Sequence, residues 1–239
     1  MTNPTYQQRR GQIETYFDRT ALQAWEQLTS NAPVGRIRAT VRAGRDRMRA
    51  QLLDWLPQDL HGSRILDAGC GTGALAVAVA ERGAEVLAID LSPALVAVAQ
   101  RRVAQQFGDP CLFSGGGRID FRSGDMLDPA LGPFDHVVAM DSLIHYDEAD
   151  MVRALACWSQ ATKHSMLITF APRNPMLAAM RAVGRFFPRG NRAPWIEPVA
   201  EKSLLRHIGV GVPQWAAGRT QRVSSGFYTS QALELRRAP

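Results

Sequence analysis

The stretch Arg64–Ser92, RILDAGCGTGALAVAVAERGAEVLAIDLS, contains an apolar segment, a glycine-rich turn, a helical segment and a second apolar segment. RILDA and EVLAID predict buried strands, and GALAVAVAERG predicts the helix between them, ending at a Gly83 cap. Because Gly69, Gly71 and Gly73 have no Cβ, the turn can bring its backbone very close to a ligand. The stretch therefore predicts a strand–turn–helix unit that binds a small molecule.

The alternation of strands and helices continues beyond this stretch. IDFRSGD, FDHVVAMDS and SMLITFAP predict three more strands, and SPALVAVAQRRVAQQ predicts a helix with Ser92 at its N-cap and Pro93 in its first turn. DEADMVRALACWSQAT has the apolar spacing of another helix. Such alternation is typical of an α/β fold with a mostly parallel sheet covered on both faces. The tail RTQRVSSGFYTSQALELRR predicts an antiparallel strand pair that closes the sheet.

The segments outside this alternation have a different character. Apolar spacing over Gln12–Trp55 predicts helices, the second of which ends at Pro57, so we assign residues 1–57 to an N-terminal helical arm. Residues 58–239 form the α/β domain. Within it, prolines, arginines and aromatic residues at 172–199 predict an inserted, jointed helical cover that closes over the acceptor site.

Composition limits the functional classes. Of 239 residues, 46% are hydrophobic and 21% charged, which is ordinary for a soluble globular protein. The chain has no apolar run near the roughly 18 residues of a membrane span and no apolar signal-like N-terminus, so we expect a cytoplasmic protein. Three separate cysteines without a CxxC pair indicate neither a disulfide framework nor a metal site. The net charge of +6, nearly all from arginine, fits nucleic acid, an anionic membrane, an acidic substrate or a solvated surface.

Three acidic residues narrow the choice of ligand, since flavin and nicotinamide enzymes share the glycine turn. Asp67 precedes the first glycine, where a carboxylate repels a pyrophosphate but attracts the ammonium of a methionine moiety. Asp90 ends the second strand, where it can accept both ribose hydroxyls. Asp125 follows the third strand and could bind the adenine amino group beside the apolar Met126. Together they predict S-adenosylmethionine; the alternative is a plain strand–turn–helix unit with capping acids.

The motifs that contain these residues resemble those of a known family. ILDAGCGTG, AIDLS, SGDM and FDHVVAMDSLIHY resemble the successive motifs of class I S-adenosylmethionine-dependent methyltransferases. The resemblance implies a Rossmann-like, seven-stranded sheet whose last strand is antiparallel. The cofactor contacts that the motifs imply are Asp67, Gly69, Cys70, Gly71, Asp90, Leu91, Asp125, Met126 and Met140.

The flanking segments resemble a narrower family. YFDRTALQAWEQL, NAPVGRIRATVRAGRDR and RVSSGFYTSQALE resemble the magnesium-protoporphyrin IX O-methyltransferases of chlorophyll and bacteriochlorophyll synthesis. That resemblance implies methyl transfer to a propionate carboxylate, giving a monomethyl ester and S-adenosylhomocysteine, with magnesium present only inside the porphyrin. It also implies contact with the porphyrin-binding subunit of magnesium chelatase. We separately expect peripheral association with the photosynthetic membrane. Thr29 stands where relatives tend to carry a tyrosine, which puts a catalytic tyrosine from that part of the arm in doubt.

The residues expected to bind the methyl acceptor follow from its chemistry, because the porphyrin is a large, flat dianion. Such a ligand needs arginines for its carboxylates and apolar or aromatic walls for its faces. Arg181, Arg185 and Phe186 in the cover supply both, although a basic amphipathic helix on the surface or at a lipid boundary explains them equally. Tyr146 is a further candidate for substrate contact.

We expect few catalytic residues, because this methyl transfer needs little acid or base assistance from the protein. An ionised carboxylate needs no strong base, so the rate should come mainly from alignment. His145, after the fourth strand, could hydrogen-bond the propionate or take its proton, and Tyr16 in the arm is a second candidate. Arg42 resembles the arginine with which related enzymes hold the methionine carboxylate; the alternative is one more solvated charge in the stripe of Arg38, Arg42, Arg45 and Arg49.

Other functions are also considered. A quinone-pathway O-methyltransferase has similar core motifs, but its phenol acceptor calls for a base or metal. A nucleic-acid methyltransferase is disfavoured because the loop after the fourth strand reads DSLIHY instead of Asn/Asp-Pro-Pro-aromatic. A non-catalytic module that binds the cofactor or porphyrin is a third alternative.

Overall fold

The structure is a computed structural model that describes residues 4–16, 35–108, 113, 115–173 and 196–238. These residues form six α-helices and seven β-strands. In chain order the elements are α1 (Pro4–Tyr16), α2 (Arg36–Trp55), β1 (Arg64–Ala68), α3 (Ala74–Ala80), β2 (Glu85–Asp90), α4 (Pro93–Phe107), β3 (Arg118–Ser123), β4 (Phe134–Ala139), α5 (Glu148–Ala161), β5 (Thr162–Phe170), α6 (Glu201–Gly211), β6 (Trp215–Ser225) and β7 (Tyr228–Arg237).

The seven strands form one sheet in the order β3-β2-β1-β4-β5-β7-β6. Strands β1 to β5 pair in parallel, whereas β7 is antiparallel to both β5 and β6. The predicted fold class, a Rossmann-like sheet with the last strand antiparallel, is confirmed. Because successive strands run outward in opposite directions from β1 and β4, a crevice opens at their carboxyl ends, where such sheets bind ligands.

Neighbouring residues of the central strands pack on opposite faces of the sheet. Leu66 belongs to the core beneath α5 and α6, while Ile65 belongs to the core beneath α2 and α3, and both side chains are fully buried. Burial on both faces explains why RILDA and EVLAID are continuous apolar runs without polar alternation.

The helices agree with the sequence except at some ends. The Ser92 hydroxyl accepts a hydrogen bond from the Leu95 amide at 3.1 Å, which confirms the predicted N-cap of α4. Helix α3 ends at Ala80, three residues before the predicted cap at Gly83, which has a φ of 94° in the following turn. Helix α1 begins at Pro4, earlier than the predicted start at Gln12. Helix α6 is absent from the sequence prediction.

The arm assigned to residues 1–57 does not lie apart from the domain. Helix α2 buries Met48, Leu52 and Trp55 in the same core as α3 and the sheet, which matches the apolar face its sequence predicts. Residues 1–3 and 17–34 of the predicted arm fall outside the described residues, so the boundary at 57 stays a prediction. Within the described residues, no helix has the length and apolar character needed to cross a membrane.

A buried carboxylate joins the last two strands. Glu234 on β7 is 1% exposed and accepts hydrogen bonds from Arg219 on β6 at 2.7 Å to each oxygen, and from Arg236 at 2.8 Å. Burial raises the pKa of Glu234, but the hydrogen bonds from the two arginines outweigh burial and hold the pKa at about 2.

Because of this cluster, we expect the free energy of unfolding to decrease at acid pH. Because the folded-state pKa lies below the ordinary value near 4.5, the contribution of Glu234 is complete above that value and is lost as the pH falls toward 2. We expect Glu234→Gln to lower the free energy of unfolding by about 1–3 kcal/mol at pH 7, with the difference from wild type shrinking below pH 4.5. Urea unfolding at several pH values measures this. Glu85→Gln, in a half-exposed pair with Arg118, should change stability by less than about 1 kcal/mol; equal effects of the two substitutions would contradict the assignment.

Candidate active site

A cavity of about 400 Å³ opens at the carboxyl ends of β1, β2 and β4. This volume is in the range of small-molecule sites. Its wall contains residues of α1 and α2, the glycine turn after β1, the end of β2 and the turn after β4. The residues predicted as site members that line it are Tyr16, Arg42, Asp67, Gly69, Cys70, Gly71, Asp90, Leu91, Met126, Met140, His145 and Tyr146.

The glycine turn forms one side of this cavity. Gly69, Gly71 and Gly73 have φ values of 83°, 54° and 80°, in the left-handed region that side chains other than glycine rarely adopt. A Cβ on Gly69 would lie 2.3 Å from the Cβ of Ser142, which follows β4. Glycine at 69 is therefore required by the turn's own conformation and by the neighbouring loop, in addition to any approach of a ligand.

Asp67 is a buried carboxylate at the cavity wall. It is 2% exposed, and among the described residues its Oδ2 atom has no hydrogen-bond partner. Burial and, to a smaller extent, the nearby charge of Asp90 together raise its pKa to about 7, while a backbone hydrogen bond from Ala76 acts in the opposite direction. A buried, unsatisfied oxygen that faces a cavity is suited to a cationic or hydrogen-donating ligand group.

Asp90 has a structural role besides the one predicted for it. One carboxylate oxygen accepts a hydrogen bond from the Gly71 amide at 2.8 Å, and the other accepts one from the Ser92 amide at 3.0 Å. The side chain therefore ties the glycine turn to the start of α4. Since each oxygen has a second lone pair, Asp90 can also accept hydrogen bonds from a ligand in the cavity.

Asp125 contacts the N-terminal helix. Its carboxylate accepts hydrogen bonds from the Tyr6 hydroxyl at 2.7 Å, the Leu127 amide at 2.9 Å and Arg10 at 3.1 Å. The neighbouring Met126 lines the cavity and is buried. The contact of Asp125 with adenine stays a prediction, and such a contact would share the carboxylate with α1.

Three candidate acceptor-side residues lie on the cavity wall. His145 is half-buried in the single helical turn Leu143–His145 after β4. Tyr146 is 2% exposed and stacks on Tyr6 with 5.2 Å between ring centroids. Burial raises the pKa of Tyr16, so its hydroxyl stays protonated at neutral pH. The structure therefore brings His145, Tyr146 and Tyr16 together around one space.

Helix α2 presents its arginine stripe to the same cavity. Arg42, Arg45 and Arg49 all line it, one helical turn apart. Arg45 forms an ion pair with Asp141, which follows β4, at 2.7 Å. The position of Arg42 agrees with its predicted contact with an anionic ligand group. The remaining predicted substrate residues, Arg181, Arg185 and Phe186, fall outside the described residues.

Sequence reasoning missed two parts of the site. Tyr6 and Arg10, one turn apart on α1, contact Asp125, and their i,i+4 spacing was the available signal. Asp141 and its partner Tyr228 on β7 were also missed; the Tyr228 hydroxyl donates to Asp141 at 3.1 Å. Asp141 and Tyr228 are 87 positions apart, so the spacing of residues within one helix or strand could not have indicated their contact.

Comparison with known proteins identifies relatives over the whole chain. Residues 139–237 match the family described as magnesium-protoporphyrin IX methyltransferase C-terminus, and residues 65–165 match a methyltransferase domain. A magnesium-protoporphyrin O-methyltransferase of Rhodobacter capsulatus is 44% identical over 232 residues, covering 97% of this chain and 98% of the relative.

Two further comparisons concern the fold and a second family. The crystal structure of magnesium protoporphyrin IX methyltransferase from Synechocystis PCC 6803 with bound SAH has a TM-score of 0.81, at 23% identity, and covers 96% of this chain and 100% of that one. It supports the fold. A ubiquinone biosynthesis O-methyltransferase of Xanthomonas euvesicatoria pv. vesicatoria is 33% identical over an alignment of 163 residues that covers 64% of this chain and 64% of the relative.

The raised pKa of Asp67 predicts a second, opposite dependence on pH. Between about pH 4 and pH 7 the folded state binds more protons at this site than the unfolded state, so stability falls as the pH rises. We expect Asp67→Asn to be more stable than wild type by roughly 2–4 kcal/mol at pH 8 and nearly equal at pH 4.5. Urea unfolding of both proteins at the two pH values tests this, with the exposed Asp120→Asn as control. A difference that does not vary with pH would show that Asp67 ionises normally.

Proposed function

The chain belongs to the magnesium-protoporphyrin O-methyltransferase family, and we propose that it transfers a methyl group from S-adenosylmethionine to a propionate carboxylate of Mg-protoporphyrin IX. The product is the monomethyl ester, in chlorophyll or bacteriochlorophyll biosynthesis. The observation that carries the proposal is the 44% identity to the Rhodobacter capsulatus enzyme, which extends over both flanks as well as the common core. The cavity at the carboxyl ends of β1, β2 and β4 would hold the cofactor and acceptor.

The residues at this cavity fit S-adenosylmethionine. The unpartnered Oδ2 of buried Asp67 suits the ammonium of the methionine moiety, and proximity of that cation would favour the ionised carboxylate. Asp90 at the end of β2 suits the ribose hydroxyls, and Arg42 suits the methionine carboxylate through a bidentate pair. Leu91, Met126 and Met140 supply apolar wall for adenosine. When bound, the sulfonium supplies an already activated methyl group.

The chain's own residues would orient the acceptor and keep water out. His145 would hydrogen-bond the propionate and take its proton if the acid arrives protonated. Tyr16 and Tyr146 would line the path of the macrocycle, with Arg181, Arg185 and Phe186 of the cover as further contacts. Because an ionised carboxylate is already a nucleophile, positioning should account for most of the rate.

The quinone-pathway alternative has weaker support. The ubiquinone biosynthesis relative aligns with 64% of the chain, whereas the magnesium-protoporphyrin relative aligns with 97%. The family model for the C-terminus, over residues 139–237, also belongs to the porphyrin enzymes. The longer alignment and the family model for the C-terminus therefore both favour the porphyrin.

We further propose cytoplasmic localisation, peripheral contact with the photosynthetic membrane and contact with the porphyrin-binding subunit of magnesium chelatase. The resemblance of the flanks supports the chelatase contact, and the net charge of +6 would favour an anionic membrane surface. We expect no nucleic-acid partner, because DSLIHY is unlike the loop of enzymes that methylate flipped bases.

The direct test is methyl transfer from a labelled donor to three acceptors. We expect transfer to Mg-protoporphyrin, much less to metal-free protoporphyrin and none to a polyprenyl phenol. Preference for the phenol would establish the quinone-pathway alternative. Binding of cofactor and porphyrin without transfer to any acceptor would establish a non-catalytic binding module.

His145 is tested separately from the cofactor site. We expect His145→Ala to lower kcat about 10- to 100-fold, because the acceptor carboxylate loses its orienting partner, with little change in the cofactor Kd. Single-turnover kinetics and calorimetry give the two quantities. His164→Ala, on an exposed residue of β5, is the matched control. Loss of cofactor affinity with normal kcat at saturation would place His145 in the cofactor site instead.

A further inference from the structure

Asp141 has an unusual backbone conformation at the point where the chain leaves β4. Its φ is +54°, and in the described ranges of the chain it is the one non-glycine residue with positive φ. Residues with a side chain enter the left-handed region at some energetic cost, and such conformations persist where the surroundings impose them. The side chain is also 4% exposed and borders the cavity.

The surroundings that impose this conformation come from three different elements. Arg45 on α2 donates to the Asp141 carboxylate at 2.7 Å, and Tyr228 and Ser230 on β7 donate at 3.1 Å. Thr169 on β5 accepts from the Asp141 amide at 2.7 Å and lies 3.3 Å from the carboxylate. One buried carboxylate therefore connects α2, β5 and β7 to the end of β4.

This connection lies between two groups of cavity residues. Arg45 follows Arg42 by one helical turn on the same face of α2, and both line the cavity. On the other side of Asp141, Ser142 packs against Gly69, and the turn continues to His145. Asp141 thus joins the helix that presents the arginines to the turn that presents the histidine.

Neither asparagine nor glycine at position 141 would keep all the contacts that the aspartate carboxylate makes. Asparagine tolerates left-handed backbone, but it loses the negative charge opposite Arg45 and offers fewer acceptor lone pairs for Tyr228 and Ser230. Glycine removes the backbone strain altogether and leaves the buried Tyr228 hydroxyl without this acceptor. Neither can hold all the donors at once.

We propose that Asp141 is a positioning residue that holds α2 and the 142–146 turn in one relative geometry, and that it acts on methyl transfer through His145. The inference rests on the proposed function for its kinetic consequence. Its structural part, the fixing of the turn, applies to the protein without any ligand.

The experiment compares Asp141→Asn and Asp141→Gly with wild type, and with the exposed Asp120→Asn as control. We expect both Asp141 variants to lower kcat about 10-fold or more, with a smaller change in the acceptor KM. In the ligand-free protein, the amides of Tyr146 and Glu197, which bond to Leu143 and Ile144 carbonyls of the turn, should exchange hydrogen faster than in wild type. Amides in the interior of β1 and β2 should exchange at unchanged rates.

A double-mutant cycle identifies the residue through which Asp141 acts. If Asp141 positions His145, Asp141→Asn should lower kcat much less in the His145→Ala background than in wild type. Tyr228→Phe, which removes a single donor and keeps the ring, should shift kcat and turn exchange in the same direction by a smaller amount. It provides the same test if the Asp141 variants do not fold.

Additive effects in the cycle would overturn the proposed action through His145. Normal turn exchange in the variants, or a fall in melting temperature with wild-type kcat and KM, would overturn the positioning role. Failure of the proposed function is distinguishable from both, because wild type would then transfer no methyl group to Mg-protoporphyrin while the exchange measurement would still report on the turn.

Discussion

The site depends on one constraint, the position of β1 between β2 and β4 in a parallel sheet. Asp67 is paired with Ala88 on one side and Val138 on the other, so the chain leaves all three strands at the same edge. Every functional group identified on the sheet is placed by this geometry: Asp67 and the glycine turn after β1, Asp90 after β2, and Asp141 to His145 after β4. Helices α1 and α2 then cover that edge from outside.

The acidic residues at this edge have different environments and therefore different properties. Asp67 is buried next to another acid, and its pKa is raised to about 7. Asp90 satisfies two backbone amides, and Asp141 is surrounded by an arginine and hydroxyl donors. Glu234 differs from Asp67, because there the hydrogen bonds from two arginines outweigh the effect of burial and lower the pKa to about 2. Burial alone does not determine the charge state; the supply of donors does.

The sequence predicts best what is local. Asp67 and Asp90 were predictable because each ends an apolar run next to a turn, and the parallel order of strands brings such ends together. The partners of Asp125 and Asp141 were not predictable, since Tyr6 is 119 residues from Asp125 and Tyr228 is 87 from Asp141. The left-handed backbone of Asp141 was not predictable either, because aspartate enters this region more readily than most residues but is also common in turns and caps with ordinary backbone. Helix α6 was not predicted because it is short and its C-terminal end contains Gly209 and Gly211, which lower helix propensity.

Helices α1 and α2 are attached to the domain by different kinds of contact. Helix α2 buries Met48, Leu52 and Trp55 in the core, whereas α1 is held over the cavity partly by the solvent-accessible ion pairs Arg9–Glu197 and Arg10–Asp125. Ion pairs of this kind contribute about 0–1 kcal/mol each and weaken with salt. Because α1 also buries Tyr6 and Ile13, salt should weaken its attachment without abolishing it, so the N-terminal helix should be held less firmly over the cavity as the ionic strength rises.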